Sequence, residues 1–211
     1  MVKMPFQDLQ LLNNVGSIPF EWQFGLPAIH GSKLTLREVR QSDAASLLAM
    51  LTTAEVAEFV SPLPRTVEGF SAFIAETHEQ RMLGNSFCFA VVPDGYEDAM
   101  GLFQVRQLEP GFGSAEWGFA IGSPFWGSGL FLEGAKAVID FSFGVVGVHR
   151  LEARSIASNA RANGALRKVG AYQEGFLRRS FRRNGQLLDQ IMWSIVKEDW
   201  LRHQAPGPTF H

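Results

Sequence analysis

Two periods alternate along this chain. LTLREV (34–39) sets apolar positions two apart, as a strand with one buried face does. From Ala45 the spacing turns helical, with Leu48 and Ala49 following and Ser42 and Asp43 suited to the helix start. After the proline-broken loop SPLPRT (61–66), residues 67–83 place Phe70, Phe73, Ile74 and Thr77 on one helical stripe. SFCFAVVP (86–93) and AMGLFQVRQL (99–108) read as strands joined by the polar turn DGYED, and SAEWGFAIG (114–122) as a third. A helix is predicted after Gly129, then a short strand HRLEARSIA (149–157) and a helix NARANGALRKVG (159–170) closed by Gly170. A hairpin turning at Asn184-Gly185 ends the pattern. Helices set into an antiparallel meander, followed by strand–helix–strand–helix–strand–strand, predict an α+β fold around a mixed sheet. Residues 1–32, rich in Pro, Gly and aromatics without a period, read as an irregular arm with a helix over 6–13. Residues 33–203 read as a single domain and 204–211 as a flexible tail.

Composition narrows the function classes. The 211 residues suit one domain with a real core, and 46% apolar against 19% charged residues is a globular balance. The net charge of −2 predicts neither nucleic-acid nor membrane binding, yet it hides an asymmetry. Residues 149–183 carry nine Arg and Lys against Glu152 and Glu174, so this segment is +7 and the remainder −9. Such a block can steer an anion, or it can be a solvated surface that happens to be Arg-rich. Cys88, the single cysteine, lies between Phe87 and Phe89 and reads as a small core residue. Neither a signal peptide nor a membrane-length apolar run is present, so the expectation is a cytoplasmic protein. No metal-ligand spacing occurs, and the five scattered histidines give no triad.

The candidate chemistry centres on PFWGSGLFLEGAKAVIDFSF (124–143), where Gly127 and Gly129 precede a helix. A tight turn would explain them; so would an anion site, because N–H groups at a helix start are unpaired and the dipole is positive there. A dinucleotide fingerprint would need glycine at Leu132, and a P-loop would need Gly-Lys-Ser/Thr, so neither applies. What remains is a strand, a short loop and a helix start, a shape that serves a pyrophosphate with an extended arm along the strand.

LTLREVRQSDA, AEWGFAIGSPFWGSGLFLEGAKAVIDFSF, HRLEARSIASNARANGALRKVGAYQEG and RNGQLLDQIMWSIVKEDW, in this order, resemble the GNAT superfamily of acyl-CoA-dependent N-acetyltransferases. The resemblance covers about residues 33–200 and is to the branch of the ribosomal-protein N-terminal alanine and serine acetyltransferases. It implies a mostly antiparallel sheet splayed at its middle and flanked by helices. It implies acetyl-CoA held by Trp126, Gly127, Ser128, Gly129, Leu130, Phe131 and Leu132 at the pyrophosphate. The backbone of Phe119, Ala120 and Ile121 would hold the pantetheine arm, with Gly118 near the bulge that opens the cleft. Asn159, also well suited to cap a helix, would meet the CoA arm, and Asn163 and Arg167 share its helical face. Four positions depart from the family pattern. Trp126 stands for Gln or Arg, Phe131 for Gly or Ala, Ala162 for Ser, and Leu166 for a Tyr that can protonate the leaving thiolate.

Acetyl transfer needs a neutral amine, so a carboxylate able to take its proton is sought. Period 2 in SAEWGFAI puts Glu116 and Gly118 on the face opposite Ala115, Trp117 and Phe119. Glu116 also matches a glutamate common in the branch and is the expected base; Tyr172 and Ser155 are fallback proton carriers. The expected activity is transfer of acetyl from acetyl-CoA to a primary amine of a protein N-terminus or a small molecule, by a monomer or homodimer. The competing expectation is an acyl-CoA-sensing module of the same fold without efficient catalysis.

Overall fold

The computed structural model describes residues 3–5, 21–60 and 63–204. The helix expected over 6–13 and the tail after Gln204 lie outside them. The alternating segments form strands β1 (Lys3–Pro5), β2 (Ala28–His30), β3 (Leu34–Glu38), β4 (Ser86–Pro93), β5 (Gly101–Gln107), β6 (Ser114–Ile121), β7 (Arg150–Ile156), β8 (Tyr172–Arg183) and β9 (Gln186–Val196). They join in one sheet of order β1-β2-β3-β4-β5-β6-β7-β9-β8. Pairing is antiparallel except at β1–β2 and β6–β7. The aperiodic arm thus contributes two short strands at one edge, where backbone pairing needs no side-chain period.

The helices are α1 (Ala44–Leu51), α2 (Ala54–Ala57), α3 (Val67–Met82), α4 (Leu130–Phe141), α5 (Ala160–Val169) and α6 (Lys197–Gln204). The central strands are apolar on both faces because both are covered. Phe87, Phe89, Phe103, Ala115, Trp117, Leu151 and Ala153 pack with α4 and α5. Cys88, Ala90, Leu102 and Ala120 pack with α1 and α3 on the other face. Asp43 stands at the helix start as expected, but its side chain does not cap α1. Buried, it accepts from both terminal nitrogens of Arg37 (2.7 Å each) and from Ala99 N–H (3.0 Å), tying α1 to β3 and to the loop before β5. Burial works to raise its pKa, but these bonds and the Arg37 charge outweigh it and hold the carboxyl below its ordinary value.

Cys88 is 3% exposed, and burial, with a smaller push from the Glu38 charge, raises its thiol to about 12. A thiol reagent should therefore leave the native protein unlabelled at pH 8 and react once the protein is unfolded. Rapid stoichiometric labelling of the native protein would contradict this packing.

The sheet splits between β6 and β7. Their parallel register runs only from Ser114↔Arg150 to Glu116↔Glu152. Beyond it, β6 stays with β5 as far as Gly101↔Ile121, and β7 stays with β9 as far as Ile156↔Gln190. The β5–β6 ladder has no register shift, so Gly118 sits at the opening of the split and not on the expected bulge. The β8–β9 hairpin turns at Asn184 (φ 46°) and Gly185 (φ 80°), as its sequence predicts. Arg183, beside that turn, donates to the carbonyls of Ala57 and Val60, so the hairpin tip reaches across to α2.

Candidate active site

The split exposes backbone that a continuous sheet would use. Gly122 N–H bonds Met100 C=O (2.9 Å), and Leu108 N–H bonds Ser114 C=O (2.9 Å). Antiparallel alternation then commits the even-numbered residues of β6 to β5, and turns the odd-numbered Trp117, Phe119 and Ile121 toward the gap. By the same alternation, Ala157 N–H on Asp189 C=O (2.9 Å) turns Arg154 and Ile156 of β7 toward the gap from the other side. Ala120, expected to contact the pantetheine arm through its backbone, instead pairs with Leu102 of β5. The Ile121 carbonyl is taken by Trp126 Nε1 (2.8 Å), which leaves its N–H and both groups of Phe119 on the β6 edge.

The gap ends at the Gly-x-Gly loop. Gly127 (φ 76°) and Gly129 (φ 90°) adopt the left-handed backbone that only glycine takes cheaply, and Gly129 is the residue before α4. Ser128 Oγ accepts a long bond from Leu130 N–H (3.3 Å). No acceptor among the described residues meets the N–H groups of Gly127, Ser128, Gly129, Phe131 or Leu132. Lys33 adds a cation that no sequence pattern pointed to. Its Nζ donates to Ser128 C=O (2.8 Å) and lies 2.8 Å from where a side chain on Gly129 would begin. Glu133 holds that lysine's loop in place, accepting from Lys33 N–H (3.0 Å) and Ser32 Oγ (2.8 Å). Its carboxylate is thereby turned away from the loop's N–H groups.

Glu116 stands at the apex of the split, beside Glu152 in the parallel register and on the α1–α3 face. Its side chain is 21% exposed, and Oε2 is paired with Arg106. Oε1 has no partner among the described residues. Glu152 Oε1 accepts from Arg150 Nε (2.9 Å), and Arg150 also grips Glu174. The Arg150 bond, then the Ser194 hydroxyl (2.6 Å), hold Glu174 at about 2 against partial burial. Around the apex three carboxylates thus face the guanidinium groups of Arg106 and Arg150, with Arg154 on the same face two residues further along β7. At the opposite, open end of the gap, Ser123 Oγ donates to Glu55 (3.3 Å), tying the end of β6 to α2.

The acetyltransferase (GNAT) domain pattern matches residues 33–172. The chain belongs to the GNAT acetyltransferase family. It is similar to the uncharacterized N-acetyltransferase p20 of Bacillus licheniformis, with 24% identity over 83% of this chain and 99% of that one. It is also similar to spermidine N(1)-acetyltransferase of Escherichia coli K12, with 27% identity over 87% of this chain and 96% of the relative. Among solved structures, the ribosomal-protein-S5-alanine acetyltransferase of Vibrio fischeri overlays with TM-score 0.74 at 21% identity, covering 82% of this chain and 98% of that one. Mycobacterium smegmatis RimJ in complex with CoA-disulfide overlays with TM-score 0.71 at 22% identity, covering 79% and 83%. At these identities the overlays speak to the fold.

Within this GNAT domain the departures from the family pattern have visible consequences. Phe131 does turn away from the loop, packing on Phe119 (4.4 Å between ring centres) and Phe103 (6.0 Å). Trp126 folds back onto β6, and the Arg161 guanidinium of α5 lies 3.5 Å from its ring centre, so the residues following β6 and β7 touch at the open end of the gap. Asn159 caps α5, its Oδ1 accepting from Ala162 N–H (3.0 Å), while its Nδ2 meets no acceptor among the described residues.

Three expected site residues sit elsewhere. Asn163 is 6% exposed; its Nδ2 donates to the carbonyls of Ile156 (3.1 Å) and Asn159 (2.9 Å), and its Oδ1 accepts from Trp193 (2.9 Å). That use of its amide leaves nothing for a cofactor and makes it a clamp between β7, β9 and α5. Arg167 lies 5.6 Å from the Trp193 ring centre with its surface exposed, outside the gap. Tyr172 is 73% exposed and shares a cross-strand row with Ser194, Glu152 and Glu116. Three strand spacings put it about 14 Å from Glu116, too far to share a proton. No group of three or more His, Cys, Asp or Glu among the described residues could hold a metal ion. No helix there is long and apolar enough to cross a membrane.

Proposed function

We propose that this GNAT domain transfers the acetyl group of acetyl-CoA to a primary amine by direct attack within a ternary complex. One observation carries the reading: the split between β6 and β7, edged by unpaired backbone groups, runs from a carboxylate apex to a loop of unpaired N–H groups at the start of α4. Extended backbone edges suit an amide-bearing arm, and the loop suits a diphosphate. Trp126, Gly127, Ser128, Gly129, Leu130, Phe131 and Leu132 form that loop, with Lys33 as its added cation and Asn159 Nδ2 within the opposite wall. Phe119 and Ile121 offer the β6 edge.

Acetyl-CoA supplies the acetyl group as an activated thioester. Glu116 Oε1 takes one proton from the arriving ammonium. The neutral amine then forms the C–N bond as the C–S bond breaks, and CoA leaves as a thiolate that takes up, through solvent, the second proton the nitrogen loses. Unpaired N–H groups on β6 receive the charge that builds on the carbonyl oxygen. Arg106 fixes the carboxylate from the far side, and the carboxylates of Glu152 and Glu174 favour an acceptor that arrives as an ammonium.

The test is thiol release from acetyl-CoA across a panel containing spermidine, spermine and short peptides with free Ala and Ser N-termini. Turnover of at least one amine is expected, with a Michaelis constant for acetyl-CoA that rises with salt, since diphosphate and cations attract through solvent. Tight acetyl-CoA binding without turnover of any amine would favour a sensing module instead.

A further inference from the structure

Arg150, Glu152 and Arg154 alternate along β7, so their side chains stand on one face of the sheet, the α1–α3 side. Glu152 has an arginine two residues away in either direction, and its Oε1 accepts from Arg150 Nε. Arg150 is held by Glu174 as well. Arg154 is left exposed, and its guanidinium meets no carboxylate, carbonyl or ring among the described residues. The other two guanidinium groups around the apex, Arg106 and Arg150, are both paired. Past Glu116↔Glu152 the register would next bring Gly118 opposite Arg154, and there the split has opened. Gly118 is exposed, and a Cβ on it would meet nothing within 4 Å. The space between Arg154 and Glu116 is therefore clear. It lies on the side of the sheet away from α4 and its Gly127–Gly129 loop. Met192, paired with Arg154, flanks it on β9, and further along Arg183 joins the hairpin tip to α2.

We propose that Arg154 selects the acceptor, and that the amine acetylated here carries a carboxylate close to its nitrogen, as a free amino acid does. Resting on the acetyl-transfer reading above, this names the substrate class of that same site. Two residues of strand span about 7 Å, a separation that the long side chains of Glu116 and Arg154 can close onto one small molecule. The ammonium end meets Glu116. The carboxylate meets Arg154, whose planar fork suits two oxygens at once. The charges around the apex agree with this. Glu116, Glu152 and Glu174 exceed Arg106 and Arg150 by one, and Arg154 cancels the excess, so the surroundings match a zwitterion. A polyamine would bring a further ammonium toward Arg154, where like charges repel. An amino-acid amide keeps the amine but leaves Arg154 without its anion.

Thiol release from acetyl-CoA tests this on matched pairs: glycine, alanine, leucine and β-alanine, each beside its amide, with spermidine and short peptides as further acceptors. For at least one pair, kcat/KM is expected to be about 10- to 100-fold higher for the acid, the scale of a charge-assisted hydrogen bond. Intrinsic reactivity runs the other way, because the amide's ammonium is the more acidic and yields more free amine at neutral pH. Arg154→Gln should raise the KM for the acid and erase most of its advantage over the amide, while the KM for acetyl-CoA moves little. Arg154→Lys should keep part of the advantage. A merely structural arginine would lower acid and amide alike, and that result overturns the assignment. So does a parent protein that uses amides, peptides or spermidine as well as it uses the acids. A parent that releases thiol with no amine at all overturns the acetyl-transfer reading itself.

Discussion

Glu116→Gln is expected to bind acetyl-CoA with nearly parental affinity while turning over about 10²–10⁴-fold more slowly, the scale of a lost general base. Glutamine keeps the shape of the side chain and can still accept a hydrogen bond from Arg106 through its amide oxygen. It cannot take a proton from the acceptor. The defect should shrink at high pH, where more of the acceptor amine is already neutral. Steady-state rates at several pH values, beside a binding titration, check both parts. Parental turnover would remove Glu116 from the mechanism. Joint loss of binding and turnover would make it a strut holding the apex, where the β6–β7 register ends at its pair with Glu152.

Gly129→Glu is expected to weaken CoA binding on the order of 100-fold or more, from three effects acting together. The residue has φ 90°, a conformation that costs a side-chain-bearing residue roughly 1–2 kcal/mol. A Cβ there would begin 2.8 Å from Lys33 Nζ, so the new carboxylate would compete for that cation. It would also place a negative charge among the N–H groups proposed to hold a diphosphate. Gly129→Ala separates the effects, because it carries the strain alone and should lose less. Calorimetry with CoA decides, and an unchanged dissociation constant for Gly129→Glu would remove the loop from the binding site.

The two variants probe features of very different visibility. Gly127 and Gly129 stood out because a left-handed loop before a helix restricts the residue types allowed there, and that restriction is written in adjacent letters. Glu116 was placed on its face by the strict period of two along β6. Cys88 was assigned to the core by its apolar neighbours, and Asn184-Gly185 to a turn by the φ values that the pair tolerates. Such features depend on a few consecutive residues and the geometry of one chain segment.

Lys33 was invisible because it lies 95 residues from Ser128, and a single lysine in a polar loop has no pattern. Tyr172 was offered as a fallback proton carrier because sequence says nothing about which strands lie between two others; the order β6-β7-β9-β8 separates it from Glu116. Asn163 shares a helical face with Asn159, yet Trp193, 30 residues on, turns that face into a structural clamp. Ala120 was offered as a backbone contact along with its neighbours, and only the β5–β6 ladder decides that the odd-numbered residues open onto the gap.

The sequence alone determined most strands and the longer helices, the left-handed glycines before α4 and the face of Glu116, though not β1, β2, α2 or α6. Those are properties of dihedral preference and periodicity, which act within a turn of helix or a few residues of strand. The tertiary structure decided where β6 parts from β7, which backbone groups that parting leaves unpaired, and which distant side chains border them. Such decisions belong to strand order, register and packing between segments far apart in the chain, and no local pattern encodes a register until its partner is present.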